Sequence, residues 1–306
     1  MNKLKLGLLT AIFPEMSFEE VILYAKNKGL SAVELACWPN QKENRRYAGT
    51  SHLDVNNLSD EKVSYIKEFL DKNGISISSL GYYPNPLHPD LLVRQNTINH
   101  LKKLITASKK LNINMITTFI GRNKYLSYEE NMLLFVDIWK PIIIFAESLN
   151  VKIAIENCPM YFTYDEYPNG LNLAISPKVF KEMFDLIPNQ NFGLNFDPSH
   201  FVWQHMDYIN VLEVFKERLF HIHIKDAKVD QEKLNQYGIL VPPLYYMSPK
   251  LPGLGDINWE AFIQKLYDIN YQGYSILEIE DKSYESSFDL IDQSIEKSIQ
   301  YIKKKA

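Results

Sequence analysis

Four short apolar segments between residues 151 and 281 each carry a carboxylate or a histidine near their C-terminal end. The four side chains are Glu156, Asp197, His223 and Glu278. If they converge, their charge must be balanced, because buried charges are paired or bind metals. Three carboxylates and one imidazole form a mixed donor set that suits Mn²⁺, Mg²⁺, Co²⁺ or Zn²⁺. These residue types therefore predict a divalent-metal site, with Mn²⁺ as the first choice.

The order of polar and apolar residues within these segments is typical of β-strands with one polar face. Neighbouring side chains of a strand point to opposite faces, so Ile153 and Ile155 lie on the face opposite to Glu156. The other three segments show the same separation, and their polar face adds Asn195, His221, Lys225 and Glu280. A polar inner face and an apolar outer face are what a barrel covered by helices requires, with its active site at the C-terminal ends of the strands.

Short apolar segments alternate with longer amphipathic segments along the whole chain. The sequence predicts strands at residues 4–10, 32–36, 75–81, 115–120, 153–156, 193–197, 221–225 and 275–280. It predicts helices at residues 17–28, 59–72, 90–111, 127–149, 176–186, 207–217, 258–269 and 288–304. This alternation implies a parallel sheet, and the count fits an α/β fold with a single (β/α)₈ TIM barrel over residues 1–306. An open doubly wound sheet is the alternative, but the turn after the first strand lacks a Gly-rich phosphate loop.

Composition predicts a soluble globular enzyme. Of the 306 residues, 46% are hydrophobic and 23% charged, which argues against disorder. The formal net charge of −4 removes a general basis for nucleic-acid binding, and no apolar run approaches the ~20 residues of a membrane span. Cys37 and Cys158 have no metal-type spacing and are expected to be reduced thiols. No export segment is recognised, so a cytoplasmic location is expected, and homo-oligomerisation is left open.

Other residues at the C-terminal ends of predicted strands are candidates for the wall of a pocket. After strands two to four come Trp38, Tyr82, Tyr83, His88 and Arg122. The polar stretch 38–58 is too long for a simple connection and is predicted to be functional. Residues 252–255, Pro-Gly-Leu-Gly, are expected to shape a loop, although their backbone N–H groups could instead contact a substrate.

Several of these motifs together resemble the sugar phosphate isomerase/epimerase family, which has a xylose isomerase-like TIM barrel. The family is related to ketose 3-epimerases, inosose dehydratases and endonuclease IV. The resemblance lies in residues 147–160, 193–200, 221–226, 251–259 and 273–281, and extends to 81–90. Each motif is moderately specific, and their common order along the chain makes the resemblance strong.

The resemblance implies that Glu156, Asp197, His223 and Glu278 hold the metal. In the ketose 3-epimerase branch the two metal-bound glutamates, here Glu156 and Glu278, exchange a proton with the substrate carbon beside the carbonyl. That branch also has an arginine downstream of the metal-bound histidine, whereas Lys225, Asp226 and Lys228 stand here. The chain therefore departs from that branch at this point. Residues expected to bind substrate are His200, Lys225, Glu280, His88 and Trp38.

The resulting hypothesis is a metal-dependent isomerase or epimerase of a sugar or sugar phosphate. Proton abstraction next to the carbonyl by Glu156 or Glu278 would form a metal-stabilised enediolate, and the other glutamate would return a proton. An inosose-type dehydratase, which expels a β-hydroxyl at the same metal site, is the first alternative. A non-catalytic sugar-binding barrel is a second. A nuclease of the endonuclease IV type is disfavoured because it needs a three-metal cluster with more histidines and a basic groove. The expected partner is a small sugar or polyol, with no nucleic acid and no membrane.

Overall fold

Eight parallel strands close into a barrel in the computed structural model, which describes residues 4–39 and 48–306. The barrel strands are β1 (Lys5–Leu9), β2 (Ala32–Ala36), β3 (Ser76–Gly81), β4 (Met115–Thr118), β5 (Lys152–Glu156), β6 (Phe192–Phe196), β7 (Leu219–Ile224) and β10 (Tyr274–Leu277). Each strand pairs with its neighbour in chain order, and β10 closes the ring by pairing with β7 and β1. The predicted (β/α)₈ barrel is therefore confirmed.

Helices alternate with the strands and cover the barrel. They are α1 (Phe18–Asn27), α2 (Asp60–Asn73), α3 (Leu91–Leu111), α4 (Tyr128–Ser148), α5 (Pro177–Leu186), α6 (Ser199–Val202), α7 (Tyr208–Val214), α8 (Gln231–Tyr237), α9 (Trp259–Asp268) and α10 (Phe288–Lys305). Local signals determine several of their ends. Ser17 and Ser127 form capping boxes with glutamates three residues later, and Gly74 ends α2 with a positive φ of 66°.

The strands end earlier at the barrel mouth than the sequence predicts. The prediction placed Asp197, Lys225 and Glu278 within strands, whereas β6, β7 and β10 end at Phe196, Ile224 and Leu277. Pairing stops there because the chain turns into the loops that follow, although the Glu278 N–H still donates to the Ile224 carbonyl at 3.3 Å. The side chains concerned still lie at the C-terminal ends of the strands.

An antiparallel pair of strands between β7 and α9 is absent from the prediction. Strand β8 (Asp226–Val229) pairs with β9 (Met247–Lys250), and α8 lies in the connection between them. Because this pair follows β7, it stands on the same side of the barrel as the polar strand ends. Its strands are only four residues long, so their sequence carries little alternation to detect.

The two faces of the strands are separated as predicted. Ile153 and Ile155 belong to the continuous apolar core. On the polar face, His221 is completely buried, and its two ring nitrogens lie 2.9 Å from Asn195 Oδ1 and 3.0 Å from Ser78 Oγ. The barrel interior therefore contains a satisfied polar network, as buried polar groups require.

The described part of the 38–58 stretch packs back onto the loop after β1; residues 40–47 lie outside the described residues. The buried His52 ring lies 2.8 Å from Thr10 Oγ1 through Nδ1 and 3.0 Å from the Phe13 carbonyl through Nε2. The function predicted for this stretch stays a prediction. In the part of the chain that the structure covers, no helix is both long and apolar enough to cross a lipid bilayer.

Candidate metal and proton-transfer site

The four residues singled out from the sequence converge at the mouth of the barrel. Glu156, Asp197, His223 and Glu278 each offer one donor atom, and these four atoms all lie within 4.8 Å of one another. Glu156 is the last residue of β5, Asp197 and Glu278 directly follow β6 and β10, and His223 is the penultimate residue of β7. Because these strands are consecutive in the barrel, the cluster occupies one continuous sector of its rim.

Several polar atoms of this cluster are buried without a hydrogen bond. They are Glu156 Oε1, Asp197 Oδ2 and His223 Nδ1. His223 Nδ1 lies 3.0 Å from Glu278 Oε2 and 3.9 Å from Glu156 Oε1. Buried polar atoms without a hydrogen bond are rare and costly, and a cation between these three atoms could contact all of them at once. The donor set therefore fits a divalent cation.

Lys225 supplies positive charge on one side of the cluster. Its side chain is buried, and its Nζ lies 2.8 Å from Asp197 Oδ2, 2.9 Å from Glu278 Oε2 and 3.2 Å from Glu280 Oε2. Burial alone would lower the pKa of Lys225, but the negative charges of these carboxylates raise it well above its ordinary value. Lys225 is thus a permanent cation that partly balances the acidic cluster.

The two glutamates of the cluster have opposite pKa shifts. For Glu156, burial raises the pKa, but contacts with His200 and His223 and the charge of Lys225 outweigh it and lower the pKa to about 2. For Glu278, burial is the largest influence and raises the pKa, despite the opposing charges of Lys225 and His223. The same protein environment therefore treats the two carboxylates differently.

Glu34 is the important residue of the site that sequence reasoning missed. It lies in the middle of β2, fully buried, with Oε2 2.8 Å from His223 Nε2. Its other oxygen accepts hydrogen bonds from Thr117 Oγ1 at 2.6 Å and from the Tyr83 hydroxyl. Burial raises the pKa of Glu34, but the charge and the hydrogen bond of His223 outweigh it and lower the pKa.

The contact with Glu34 determines how His223 is presented to the cluster. A histidine that ligates a metal commonly donates its other ring N–H to a carboxylate, which fixes its tautomer and ring orientation. Here Nε2 faces Glu34 and Nδ1 faces Glu156 and Glu278. The available signal was one charged residue inside the apolar segment Ala32–Ala36, but a lone glutamate in a strand is ambiguous without its partner.

Three of the residues predicted to bind substrate lie at the cluster. His200 Nε2 lies 3.1 Å from Asp197 Oδ2 and 3.5 Å from Glu156 Oε1. Lys225 contacts Glu280 as described above, so both of these residues border the same space.

The other two residues predicted to bind substrate are Trp38 and His88. Trp38 approaches the cluster through Tyr83, and the contacts of His88 are with residues near the start of α3. The Trp38 ring packs 5.9 Å from the ring of Tyr83, whose hydroxyl lies 3.4 Å from His223 Nε2. In contrast, His88 Nδ1 accepts from the Asp90 N–H at 3.1 Å, and its carbonyl accepts from Arg94 Nε at 2.9 Å. Among the described residues, these local bonds place His88 before α3 without a contact to the cluster.

Asp226 shapes the loop that contains the Pro-Gly-Leu-Gly motif. Its carboxylate accepts hydrogen bonds from the backbone N–H groups of Gly253 at 2.9 Å and Ile257 at 3.2 Å, and from Trp259 Nε1 at 2.9 Å. A Cβ on Gly255 would lie 2.1 Å from Asp226 Oδ1. The motif therefore has the loop-shaping role expected from its sequence, and it leaves no space for a side chain at Gly255.

Most of this chain is similar to known proteins. A family model described as the xylose isomerase-like TIM barrel matches residues 22–305. The uncharacterized protein YfiH of Bacillus subtilis is 24% identical over 312 residues, which cover 91% of this chain and 93% of that protein. An inosose dehydratase of Clostridium perfringens is 31% identical over 167 residues, which cover 53% of this chain and 52% of that protein.

A solved structure shares the fold over nearly the whole chain. D-psicose 3-epimerase of Clostridium cellulolyticum H10 superposes with a TM-score of 0.69 and 16% identity, covering 98% of this chain and 99% of that one. At this identity the likeness shows the fold alone. The matched range includes Glu34 and the four residues of the cluster at the barrel mouth.

Proposed function

Because the chain belongs to the xylose isomerase-like TIM-barrel family, we propose that it is a sugar-modifying enzyme that depends on a divalent metal. The proposed reaction is isomerisation or epimerisation of a small sugar, or of a related polyol-derived ketone, by proton transfer next to the carbonyl. The observation that carries this proposal is the convergence of four buried donor atoms, three of them without a hydrogen bond.

Glu156, Asp197, His223 and Glu278 would hold the cation, with Mn²⁺ preferred and Mg²⁺, Co²⁺ or Zn²⁺ as alternatives. When bound, a divalent cation supplies Lewis-acid stabilisation of the negative charge that develops on substrate oxygen as a C–H bond next to a carbonyl loses its proton. The four side chains orient the substrate around one point because the barrel strands fix their positions.

Glu156 and Glu278 are the proposed acid–base pair. They approach the cluster from β5 and β10, which are separated in the barrel by β6 and β7. One carboxylate can therefore take a proton from one side of a substrate carbon chain while the other returns a proton from a different side. This arrangement supports an isomerase or epimerase, and His200, Lys225 and Glu280 would hydrogen-bond the substrate oxygens.

A dehydratase reaction is the second candidate, because an inosose dehydratase is 31% identical over about half of the chain. In that reaction Glu156 or Glu278 removes the proton next to the carbonyl. A carbon–carbon double bond then forms, and the β-hydroxyl leaves as water after accepting a proton. Lys225, a buried cation with three hydrogen-bond donors, would assist this departure.

Solvent deuterium exchange tests the proposal. The protein is loaded with Mn²⁺ and incubated in D₂O with a panel of ketoses and inososes. With wild-type protein we expect deuterium to enter a C–H bond next to the carbonyl. With Glu156→Gln and Glu278→Gln we expect no deuterium incorporation. The exposed Glu260→Gln is the matched control. NMR of the products separates epimers from a dehydrated product. Undiminished exchange in both active-site variants would refute the proposed roles.

A further inference from the structure

Arg122 is a buried cation that the proposed chemistry does not use. The Arg122 residue is only 7% exposed, yet among the described residues its guanidinium makes a single hydrogen bond, a long one of 3.3 Å from Nη1 to the Gly170 carbonyl. Within residues 4–39 and 48–306 no carboxylate forms an ion pair with it. A guanidinium carries five N–H donors and stays protonated, so most of the Arg122 donors have no hydrogen-bond partner in the part of the chain that the structure describes.

A second arginine shows how this protein satisfies a guanidinium with a structural role. Arg218 Nη1 donates to the Phe192 carbonyl at 2.9 Å and to the Asn189 carbonyl, and Nη2 donates to the Pro188 carbonyl at 2.9 Å. Its guanidinium also lies 5.1 Å from the Phe184 ring centroid. Arg218 is thus surrounded by acceptors although it is more exposed than Arg122. Within the described ranges, the Arg122 guanidinium has one acceptor.

The backbone of Arg122 is held rigidly at the barrel mouth. Arg122 follows β4, and its N–H donates to Asn85 Oδ1 at 2.9 Å while its carbonyl accepts from Asn85 Nδ2 at 2.8 Å. Asn85 belongs to the loop after β3, and Gly170 belongs to the loop after β5. The loop after β3 therefore holds the backbone of Arg122, and the guanidinium contacts the loop after β5, on the side of the barrel where the acidic cluster is found.

A short chain of hydrogen bonds also ties this position to the proposed proton-transfer residue. The N–H of Gly121, the residue before Arg122, donates to Asn172 Oδ1 at 3.2 Å. Asn172 Nδ2 in turn donates to the carbonyls of Glu156 at 3.0 Å and Cys158 at 2.8 Å. The Asn172 side chain thus links the backbone next to Arg122 to the backbone of Glu156.

We infer that Arg122 binds an anionic group of the substrate, a phosphate or a carboxylate, at the rim of the acidic cluster. The planar fork of arginine donors matches both groups in a two-point contact. Because the cluster itself is rich in carboxylates, an anionic group has to be held away from it by a separate cation. This inference rests on the proposed function and narrows its substrate class to sugar phosphates or sugar acids.

The test compares three ketoses that differ only at C6. D-Fructose, D-fructose 6-phosphate and D-fructuronate carry a hydroxymethyl group, a phosphate and a carboxylate there. Their dissociation constants are measured calorimetrically with Mn²⁺-loaded wild-type protein and with Arg122→Gln, Arg122→Lys and Arg218→Gln. Thermal unfolding establishes that each variant is folded, and Arg122→Lys keeps the charge while losing the two-point contact.

We expect wild-type protein to prefer one charged ketose over D-fructose, and its identity distinguishes phosphate from carboxylate. Arg122→Gln should weaken the binding of that charged ketose by about tenfold to a hundredfold, far more than it weakens the binding of D-fructose. The affinity of Arg122→Lys for the charged ketose should lie between those of wild-type protein and Arg122→Gln. Arg218→Gln should keep the wild-type preference for the charged ketose. Equal binding of the three ketoses by wild-type protein, equal weakening of all three by Arg122→Gln, or no binding of any of them would overturn the inference.

Deuterium exchange with wild-type protein separates this inference from the proposed function. If exchange into a ketose occurs but the charged ketoses have no advantage, the anion site is wrong and the function stands. If a charged ketose is preferred through Arg122 but none of the three exchanges deuterium, the anion site stands and proton transfer on ketoses is wrong.

Discussion

Replacing Glu34 by glutamine tests whether this buried carboxylate positions His223. Glutamine keeps the size of the side chain but removes its charge and replaces one acceptor oxygen by an NH₂ donor. Glu34 receives hydrogen bonds from Thr117 and Tyr83 and contacts His223 Nε2 at 2.8 Å. Glutamine cannot accept from all three partners, so His223 loses the contact that orients its ring.

The size of the effect follows from the kind of contact that is lost. Removing the carboxylate partner of a metal-ligating histidine commonly costs about 10- to 100-fold in metal affinity. That loss corresponds to about 1.4–2.8 kcal/mol of binding free energy. Breaking a buried charged pair by removing one partner also destabilises the fold, by about 3–5 kcal/mol. Because glutamine retains the packing, we expect destabilisation near the lower end of this range.

The assay is a calorimetric titration of metal-free protein with Mn²⁺, combined with thermal unfolding. Glu260→Gln is the control, because Glu260 is an exposed residue whose salt bridge to Lys305 is worth about 0–1 kcal/mol. Tyr83→Phe is an intermediate variant that removes one donor to Glu34 and leaves the pair with His223 in place. Unchanged Mn²⁺ affinity in folded Glu34→Gln would refute the positioning role, even if the variant were less stable.

Other predictions concern the metal, the Asp226 loop and a buried histidine. Adding Mn²⁺ at 100 times its dissociation constant should stabilise the fold by about 2.7 kcal/mol, and EDTA should remove this gain in a thermal unfolding experiment. Gly255→Ala should lower the melting temperature because the added Cβ would clash with Asp226. Gly238→Ala is the comparison variant: a Cβ there meets nothing within 4 Å, so any loss of stability comes from the backbone conformation alone. Burial lowers the pKa of His52 below 6.5, so the unfolded state takes up the proton first as the pH falls. The contribution of His52 to the free energy of unfolding is therefore complete above pH 6.5, and it is lost as the pH falls towards the pKa of His52 in the folded protein. Denaturant unfolding at about pH 7 and about pH 5 should show a smaller pH effect in His52→Gln than in wild type.

Local patterns were sufficient to predict the barrel and the four side chains that converge at its mouth. Ser17 and Ser127 begin helices as expected, because capping depends on residues only three positions apart. The alternation of Glu156 with Ile153 and Ile155 follows from strand geometry, and the structure has this separation of faces. These features could be predicted because each is determined by neighbouring residues.

Features that depend on distant contacts were not predictable. The loop containing residues 226–250 forms an antiparallel pair, whose short strands show little periodicity. The carboxylate of Glu34 and the ring of His223 meet across 189 positions of the chain. Sequence reasoning left Arg122 as one of several wall residues. Its burial, and the single hydrogen bond that its guanidinium makes among the described residues, depend on tertiary contacts such as that with Gly170, 48 positions away.

The sequence by itself determined which residues stand at the strand ends and which face of each strand is polar, because both follow from short-range periodicity. Only the tertiary structure decided how those residues are used. Barrel closure brings β2 close enough for Glu34 to engage Nε2 of His223, which leaves Nδ1 facing Glu156 and Glu278. It also places Lys225 among three carboxylates, whereas no carboxylate of the described residues forms an ion pair with the buried Arg122. Charge balance and hydrogen-bond satisfaction are properties of the assembled site, since they depend on side chains far apart in the chain.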